Sequence, residues 1–217
     1  MAGPFLLRSL GSRDVESEQL LAFELGYRVQ LPRNALLDMA LFYNRYDKLA
    51  SSAPGDPDFS VSPPVLPVIR GSDAEGETWG VELAGLWDVT DSWRLMASFS
   101  YLDEELKGPG LPEATGQRLG VFPKFTAFAG SRFSPLDALD LDASLYYVDR
   151  LSELDVASYV RLDARIAWRP LRWLELSVVG RNLLEAHHAE FASLGSNIAT
   201  EPQRDVYFRA AFRPNAR

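Results

Sequence analysis

The strongest constraint in this sequence is an alternation of apolar and polar residues that persists through segments of about ten residues. Within 157–169, Leu162 and Ile166 fall on one parity, while Arg161 and Arg165 fall on the other. Because side chains of a β-strand point alternately to opposite faces, the pattern predicts strands with one oily and one charged face. The chain is therefore expected to be all-β.

Applied to the whole chain, the alternation predicts nine strands, at 18–30, 35–48, 76–88, 93–106, 121–133, 139–150, 157–169, 173–185 and 205–213. Short connections carry the Pro, Asn, Asp and Ser residues of tight turns, and they lie at 31–34, 89–92, 134–138 and 170–172. Long connections lie at 49–75, 107–120, 151–156 and 186–204. This regular exchange of short and long connections is typical of an antiparallel up-and-down transmembrane β-barrel.

The predicted apolar faces carry no Asp, Glu, Lys or Arg near their middle. Such a charge on a lipid-facing site costs about 2–4 kcal/mol at the bilayer midplane, so its avoidance favours contact with lipid. Aromatic residues flank the short turns, as at a membrane–water interface: Tyr27, Trp87, Trp93, Phe133, Trp168 and Trp173. Trp173 is an exception, because the alternation places it on the polar face with Glu175 and not on the apolar face. The alternative is core packing in a soluble β-sandwich.

Composition excludes several classes of protein. The formal charge of −8 and the lack of a basic cluster argue against nucleic-acid binding. No apolar run approaches the roughly 18 residues of a membrane-spanning helix, and the lack of cysteine removes thiolate metal sites and disulfides. Residues 1–10 make a poor signal peptide, so the natural N-terminus is expected to lie elsewhere.

The long connections contain the residues that are expected to bind a ligand, namely Arg70, His187, His188 and Glu190. A metal site is not expected, because adjacent histidines on an extended chain point apart and a firm site needs three or four converging ligands. Acidic stretches such as 103–105 lie at loop edges, and no nucleophile elbow accompanies the histidines. Neither catalysis nor a cofactor is expected.

Five segments resemble one known family: Phe23-Glu24-Leu25-Gly26-Tyr27-Arg28, the stretch 40–47, Gly80-Val81-Glu82-Leu83, Leu162-Asp163-Ala164-Arg165 and Gly180-Arg181-Asn182-Leu183-Leu184. In order and spacing they are similar to the TonB-dependent outer-membrane receptors. The resemblance covers about 18–213, nearly the whole chain. It implies a barrel of 22 strands with a plugged lumen that imports ferric siderophores, cobalamin, haem or sugars with energy from TonB.

The resemblance implies that 18–213 are the C-terminal strands of such a barrel, with 1–17 as an N-terminal loop or partial strand and 214–217 as a tail. An incomplete barrel in the bacterial outer membrane would need lipid, the missing N-terminal barrel and plug, and TonB acting through the plug. Its polar faces would line the lumen and hold the plug, or form a solvated wall, through Arg161, Asp163, Arg165, Glu175, Arg181, Asp205 and Arg209.

Two main hypotheses follow. The first is the C-terminal barrel part of an uptake receptor for a scarce ligand such as a ferric siderophore, and the second is a soluble all-β module that binds a ligand or carbohydrate. An all-β hydrolase has less support, because the sequence lacks a nucleophile elbow. The first hypothesis predicts a chain that needs detergent, whereas the second predicts a soluble monomer.

Overall fold

The computed structural model of the chain describes residues 5–109, 122–192 and 201–213. These ranges contain one 3-10 helix, Ser152–Leu154, and ten strands: β1 (Leu6–Leu10), β2 (Gln19–Leu31), β3 (Ala35–Pro54), β4 (Val65–Thr90), β5 (Trp93–Lys107), β6 (Phe125–Leu136), β7 (Leu139–Val148), β8 (Tyr159–Leu171), β9 (Leu174–Arg181) and β10 (Asp205–Phe212). The all-β prediction is confirmed. The predicted tail 214–217, and parts of the connections 107–120 and 186–204, lie outside the described residues.

Strand order follows chain order from β2 to β10, so each strand pairs with its neighbours in sequence. Each pair from β5 to β10 is antiparallel, as an up-and-down topology requires. β1 is the exception, because it lies off this path and pairs in parallel with the start of β4, Leu6 opposite Val65. The antiparallel sheet of about nine strands is confirmed, and β1, within the predicted N-terminal segment 1–17, is an addition to it.

Registers keep the two faces of the sheet separate. Between β7 and β8, Leu141 lies opposite Ile166 and Asp142 lies opposite Arg165. A shift by one residue would bring the oily row of one strand beside the charged row of the next. The alternation therefore excludes any shift of this register by one residue.

The chain divides into two compact units, which are described separately. Unit 1 consists of the described parts of Met1–Glu24, Phe42–Trp79 and Asp103–Leu119, and unit 2 of those of Leu25–Leu41, Gly80–Leu102 and Gly120–Arg217. The strands β2 to β5 contribute residues to both units.

The predicted long connection at 49–75 is wrong for most of its length, because β3 continues to Pro54 and β4 begins at Val65. In unit 1, the hydroxyl oxygen of Ser51 accepts a hydrogen bond of 3.1 Å from the backbone N–H of Asp73, which ties the two strands together. β3 has 20 residues and β4 has 26, whereas a transmembrane strand needs about 9–11.

Large apolar side chains of unit 2 form an exposed row on one face of the strands. Ile166 and Trp168 of β8 are 55% and 52% exposed, and Phe208 of β10 is 83% exposed. A soluble sandwich would cover such rows with a second layer, and no such layer lies over them in the described part of the chain. No helix in the described ranges is long and apolar enough to span a membrane.

Candidate functional site

The opposite face of β6 to β10 is polar, and we call it the polar wall. The sequence predicts seven charged residues on this face. All seven occupy the alternate positions of β8, β9 and β10 that belong to the polar wall. They separate into two groups and one isolated member. Arg165 and Glu175 belong to an ion-pair network, whereas Arg161, Asp163, Arg181 and Asp205 line a cavity. Arg209 is exposed on β10 and belongs to neither group.

The ion-pair network, which we call the charged brace, consists of Asp140, Asp142, Arg165, Arg169, Glu175 and Arg213. Arg165 donates hydrogen bonds of 2.8 Å both to Asp142 Oδ2 and to Glu175 Oε1. Arg213 Nη2 lies 3.5 Å from Glu175 Oε2, and Arg169 Nη1 lies 3.8 Å from the same oxygen. Three cations thus converge on one carboxylate across β8, β9 and the end of β10.

Burial explains why Glu175 needs so many partners. This residue is only 6% exposed, and a buried carboxylate is strongly unfavourable unless it is paired and hydrogen-bonded. Arg169 is itself shared with Asp140, to which its Nη2 donates a bond of 3.0 Å. The brace therefore balances its charges within the wall. Its other members, Asp140, Asp142, Arg169 and Arg213, fall on the polar parity of their predicted strands, although the predicted lumen-facing set does not include them.

The cavity has a volume of about 440 Å³, within the range of about 300–1,000 Å³ of small-molecule sites. Two arginines and two aspartates supply its charges, and the lining comprises Arg161, Asp163, Arg181, Asn182, Pro202, Gln203 and Asp205. Both signs of charge face the same space, so the cavity can bind a ligand with acidic and donor groups.

Asn182 positions one side of this cavity. It adopts a left-handed backbone conformation with φ of 50°, which asparagine tolerates better than most residues. Its backbone N–H donates to Asp163 Oδ1 at 3.0 Å and its side-chain amide donates to the carbonyl of Pro202 at 3.3 Å. At 1% exposure it is the least exposed polar residue of the described chain, and it fixes the start of the β9–β10 connection against β8.

The guanidinium of Arg161 lies against one end of an aromatic patch. Tyr146 lies beneath it, with the Arg161 Cζ atom 4.4 Å from the ring centroid, a geometry of cation–π attraction. Phe128 extends the patch, because its ring centroid is 5.1 Å from that of Tyr146. Both rings fall on the polar parity of β6 and β7, and neither is among the predicted site residues.

The predicted ligand-binding residues occupy different environments. His187 Nδ1 lies 2.6 Å from Glu201 Oε2 on the surface, whereas His188 is only 7% exposed. The His188 ring stacks on Tyr159 at 4.2 Å between centroids, and its Nε2 lies 3.2 Å from Glu190 Oε1. The two histidines therefore have separate partners.

Arg70 was expected in a loop, but it lies on β4 in unit 1, where it donates a hydrogen bond of 2.9 Å to Ser52 Oγ. The assignment to a loop is wrong because β4 begins earlier than the Pro-rich sequence suggests. Among the described residues, no group of three or more His, Asp and Glu side chains is arranged to hold a metal ion.

All six predicted interface aromatics are exposed. Trp93 packs edge-on against Phe133 with centroids 6.1 Å apart. Trp173 stacks on Phe212 of the apolar row at 6.1 Å between centroids. Its expected place beside Glu175 is therefore wrong, because Trp173 lies in the turn before β9, where strand parity does not apply.

The chain is similar to one family of known proteins. A family model described as TonB dependent receptor-like, beta-barrel matches residues 4–183. The probable TonB-dependent siderophore receptor PiuA of Acinetobacter baumannii is 26% identical over 206 residues, which cover 87% of this chain and 26% of that protein.

Two solved structures share the fold. The siderophore receptor PiuA from Acinetobacter baumannii superposes with a TM-score of 0.67 at 22% identity, over 89% of this chain and 28% of that one. The closed form of the ferric-catecholate import receptor Fiu from E. coli K12 superposes with a TM-score of 0.68 at 15% identity, over 92% of this chain and 28% of that one. The chain thus spans little more than a quarter of the length of these proteins.

Proposed function

Because the chain belongs to the TonB-dependent receptor-like β-barrel family, we propose that it is the C-terminal barrel part of a receptor that imports a scarce ligand, such as a ferric siderophore. This family consists of transport receptors of the Gram-negative outer membrane. In this proposal the exposed apolar row contacts outer-membrane lipid, and the polar wall faces the lumen. The chain performs no covalent chemistry and needs no cofactor.

The observation that carries the proposal is the pairing of two opposite faces on the same strands. One face exposes large apolar side chains, and the other carries balanced ion pairs and a polar cavity. A strand in a barrel wall needs both faces, because lipid lies outside and a polar lumen lies inside. The free edges of β2 and β10 would pair with the remaining strands of the barrel, and TonB would act through the plug.

The cavity beside Arg161 supports an anionic, aromatic ligand. Arg161 and Arg181 supply positive charge within the cavity, and the rings of Tyr146 and Phe128 form an aromatic surface that begins beneath Arg161, outside the cavity lining. A ferric catecholate combines negative charge with aromatic rings, and the structurally similar Fiu is a ferric-catecholate import receptor. We therefore assign a ferric catecholate as the first ligand to test.

The test uses the chain reconstituted in detergent micelles and the ferric complex of 2,3-dihydroxybenzoate as the probe. Equilibrium dialysis with radioactive iron measures its dissociation constant. Arg161→Met should weaken binding about tenfold or more, because a charge-assisted contact contributes roughly 1.5–3 kcal/mol. Arg209→Met is the matched control, since Arg209 is a wall arginine outside the cavity, and it should bind like the unmodified chain.

Equal effects of the two substitutions would contradict the assigned site. Recovery of the unmodified chain as a soluble monomer without detergent would contradict the membrane location, and it would favour the soluble binding module instead.

A further inference from the structure

Arg161 already has an anionic partner that comes from outside its own strand. Its Nη1 lies 3.4 Å from Glu190 Oε1, and its Nε lies 3.4 Å from Asp163 Oδ2 on β8. Asp163 is part of the wall, whereas Glu190 belongs to the connection between β9 and β10. The connection thus brings a carboxylate to the arginine that faces the ligand cavity.

Contacts of His188 and of the adjoining backbone hold Glu190 in this position. His188 Nε2 lies 3.2 Å from the same Glu190 oxygen, and the His188 ring stacks on Tyr159. The backbone N–H of His188 donates to the carbonyl of Pro202 at 3.4 Å, and the backbone N–H of Arg204 donates to the carbonyl of Ala186 at 2.8 Å. The carboxylate is therefore presented by an anchored segment and not by a free loop tip.

The contact between Glu190 and Arg161 is nevertheless easy to exchange. At 3.4 Å it is longer than the roughly 2.7–2.9 Å of a strong charge-assisted hydrogen bond. The two side chains are 34% and 31% exposed, so water and an incoming anion can reach both. A ligand carboxylate or catecholate oxygen that approaches more closely would replace Glu190 at little cost.

We propose that Glu190 is a built-in competitor for the ligand. Its carboxylate occupies the place on Arg161 that an acidic group of the ligand takes, so binding exchanges Glu190 for the ligand and frees the Glu190 side chain from the wall, while the contacts of His188 and Arg204 keep the segment in place. This inference rests on the proposed function, because it requires that a ligand bind at Arg161. It also gives the site selectivity, since an anionic group replaces a carboxylate on a guanidinium more favourably than a neutral acceptor does.

Glu190→Gln tests the competition, because it removes the charge and preserves the shape of the side chain. Glu185→Gln is the matched control: Glu185 belongs to the same connection and lies 3.9 Å from His188 Nδ1, and no contact joins it to Arg161 among the described residues. Two probes separate charge from shape, namely the anionic ferric complex of 2,3-dihydroxybenzoate and a neutral ferric trihydroxamate.

Glu190→Gln should tighten binding of the anionic probe about two- to fivefold, which corresponds to the loss of one exposed ion pair. It should leave binding of the neutral probe unchanged, and Glu185→Gln should change neither. Unchanged or weaker binding of the anionic probe to Glu190→Gln overturns the competition. If Arg161→Met also leaves the affinity unchanged, the proposed ligand site itself is wrong; if Arg161→Met weakens binding, only the competition fails.

Hydrogen exchange of the unmodified chain gives a second measurement that needs no variant. Addition of the anionic probe should accelerate amide exchange at Glu190 and Phe191, because Glu190 loses its tie to Arg161, while exchange in β8 and at the hydrogen-bonded amides of His188 and Arg204 stays the same or slows. Slower exchange at Glu190 and Phe191 on addition of the probe would overturn the exchange of Glu190 for the ligand.

Discussion

Glu175 shows how the polar wall accommodates a charge in a position with little access to water. Its two carboxylate oxygens are divided among the guanidinium groups of Arg165, Arg169 and Arg213. Removal of one partner from a buried ion pair is far more costly than loss of a surface pair, because it leaves a desolvated charge uncompensated. The shortest contact, to Arg165 at 2.8 Å, should therefore dominate the stability of the brace.

Arg165→Met should lower the free energy of unfolding by about 3 kcal/mol, the lower end of the range for a buried pair that loses one partner. Urea unfolding in detergent, followed by tryptophan fluorescence, measures the change. Arg28→Met is the control, because Arg28 is paired with Asp38 but its side chain is 71% exposed, and its loss should cost less than about 1 kcal/mol. Similar losses in the two variants would mean that Glu175 is adequately solvated.

Sequence parity predicted which charged residues share the wall, but it could not predict their partners. Arg165 and Asp142 are separated by 23 positions, and they meet only because the register of β7 and β8 places them opposite each other. The split of the wall into a brace and a cavity likewise depends on cross-strand distances. Arg70 and Trp173 were misplaced for a local reason, since one lies in an unrecognised strand and the other in a turn.

At the scale of single strands, β8 displays the two-faced pattern most completely. Its outward positions are apolar from Val160 to Trp168, and Ile166 near the middle of the strand is 55% exposed. Because no other layer within 5–109, 122–192 and 201–213 covers this row, the surroundings decide the cost of a substitution here. In lipid the cost depends on depth, whereas in water it would not.

Ile166→Arg should destabilise the membrane-bound chain by about 2–4 kcal/mol, because in the proposed barrel wall a position at mid-strand lies near the bilayer midplane. Leu171→Arg at the end of the same strand, beside the short turn, should cost about 0–1 kcal/mol. Unfolding by urea in lipid vesicles gives both values. Equal costs for the two positions would show that the apolar row of β8 does not cross a bilayer.

Strands β7 and β8 were predicted to within about two residues, because their alternation is uninterrupted. The outer parts of β3 and β4 were missed, since Ser51, Ser52, Pro67 and Gly71 have the composition of a loop. Pairing across the hairpin holds these residues in strands despite their low β-propensity. β1 is five residues long, too short for a periodic signal.

At the scale of the whole molecule, the row of paired strands from β2 to β10 has two edge strands in the described part of the chain. β2 and β10 each have one neighbour in the described part of the chain, so half of their backbone groups face away from the sheet. Unpaired backbone groups are costly in hydrocarbon. The two outer strands should therefore be the least protected part of the sheet until other strands pair with them.

Hydrogen exchange in detergent should reveal this gradient. The outward amides of β2 and β10 should exchange about tenfold faster or more than those of β7 and β8, because local opening there breaks fewer bonds. Coexpression with the N-terminal strands of a related receptor should restore protection at both ends. Uniform protection in the isolated chain would indicate instead that its two edges are already paired, with each other or with a second copy.

The end of β10 is fastened on both faces of the sheet. Phe212 stacks on Trp173 on one side, Arg213 reaches Glu175 on the other, and the backbone N–H of Arg213 donates to the carbonyl of Trp173 at 2.8 Å. The opposite end of the strand follows a segment that is also held, because the backbone N–H of Arg204 donates to the carbonyl of Ala186 at 2.8 Å and Asn182 donates to the carbonyl of Pro202 at 3.3 Å. With contacts at both ends, the last strand should come away from β9 in a single step and not by unzipping from one end.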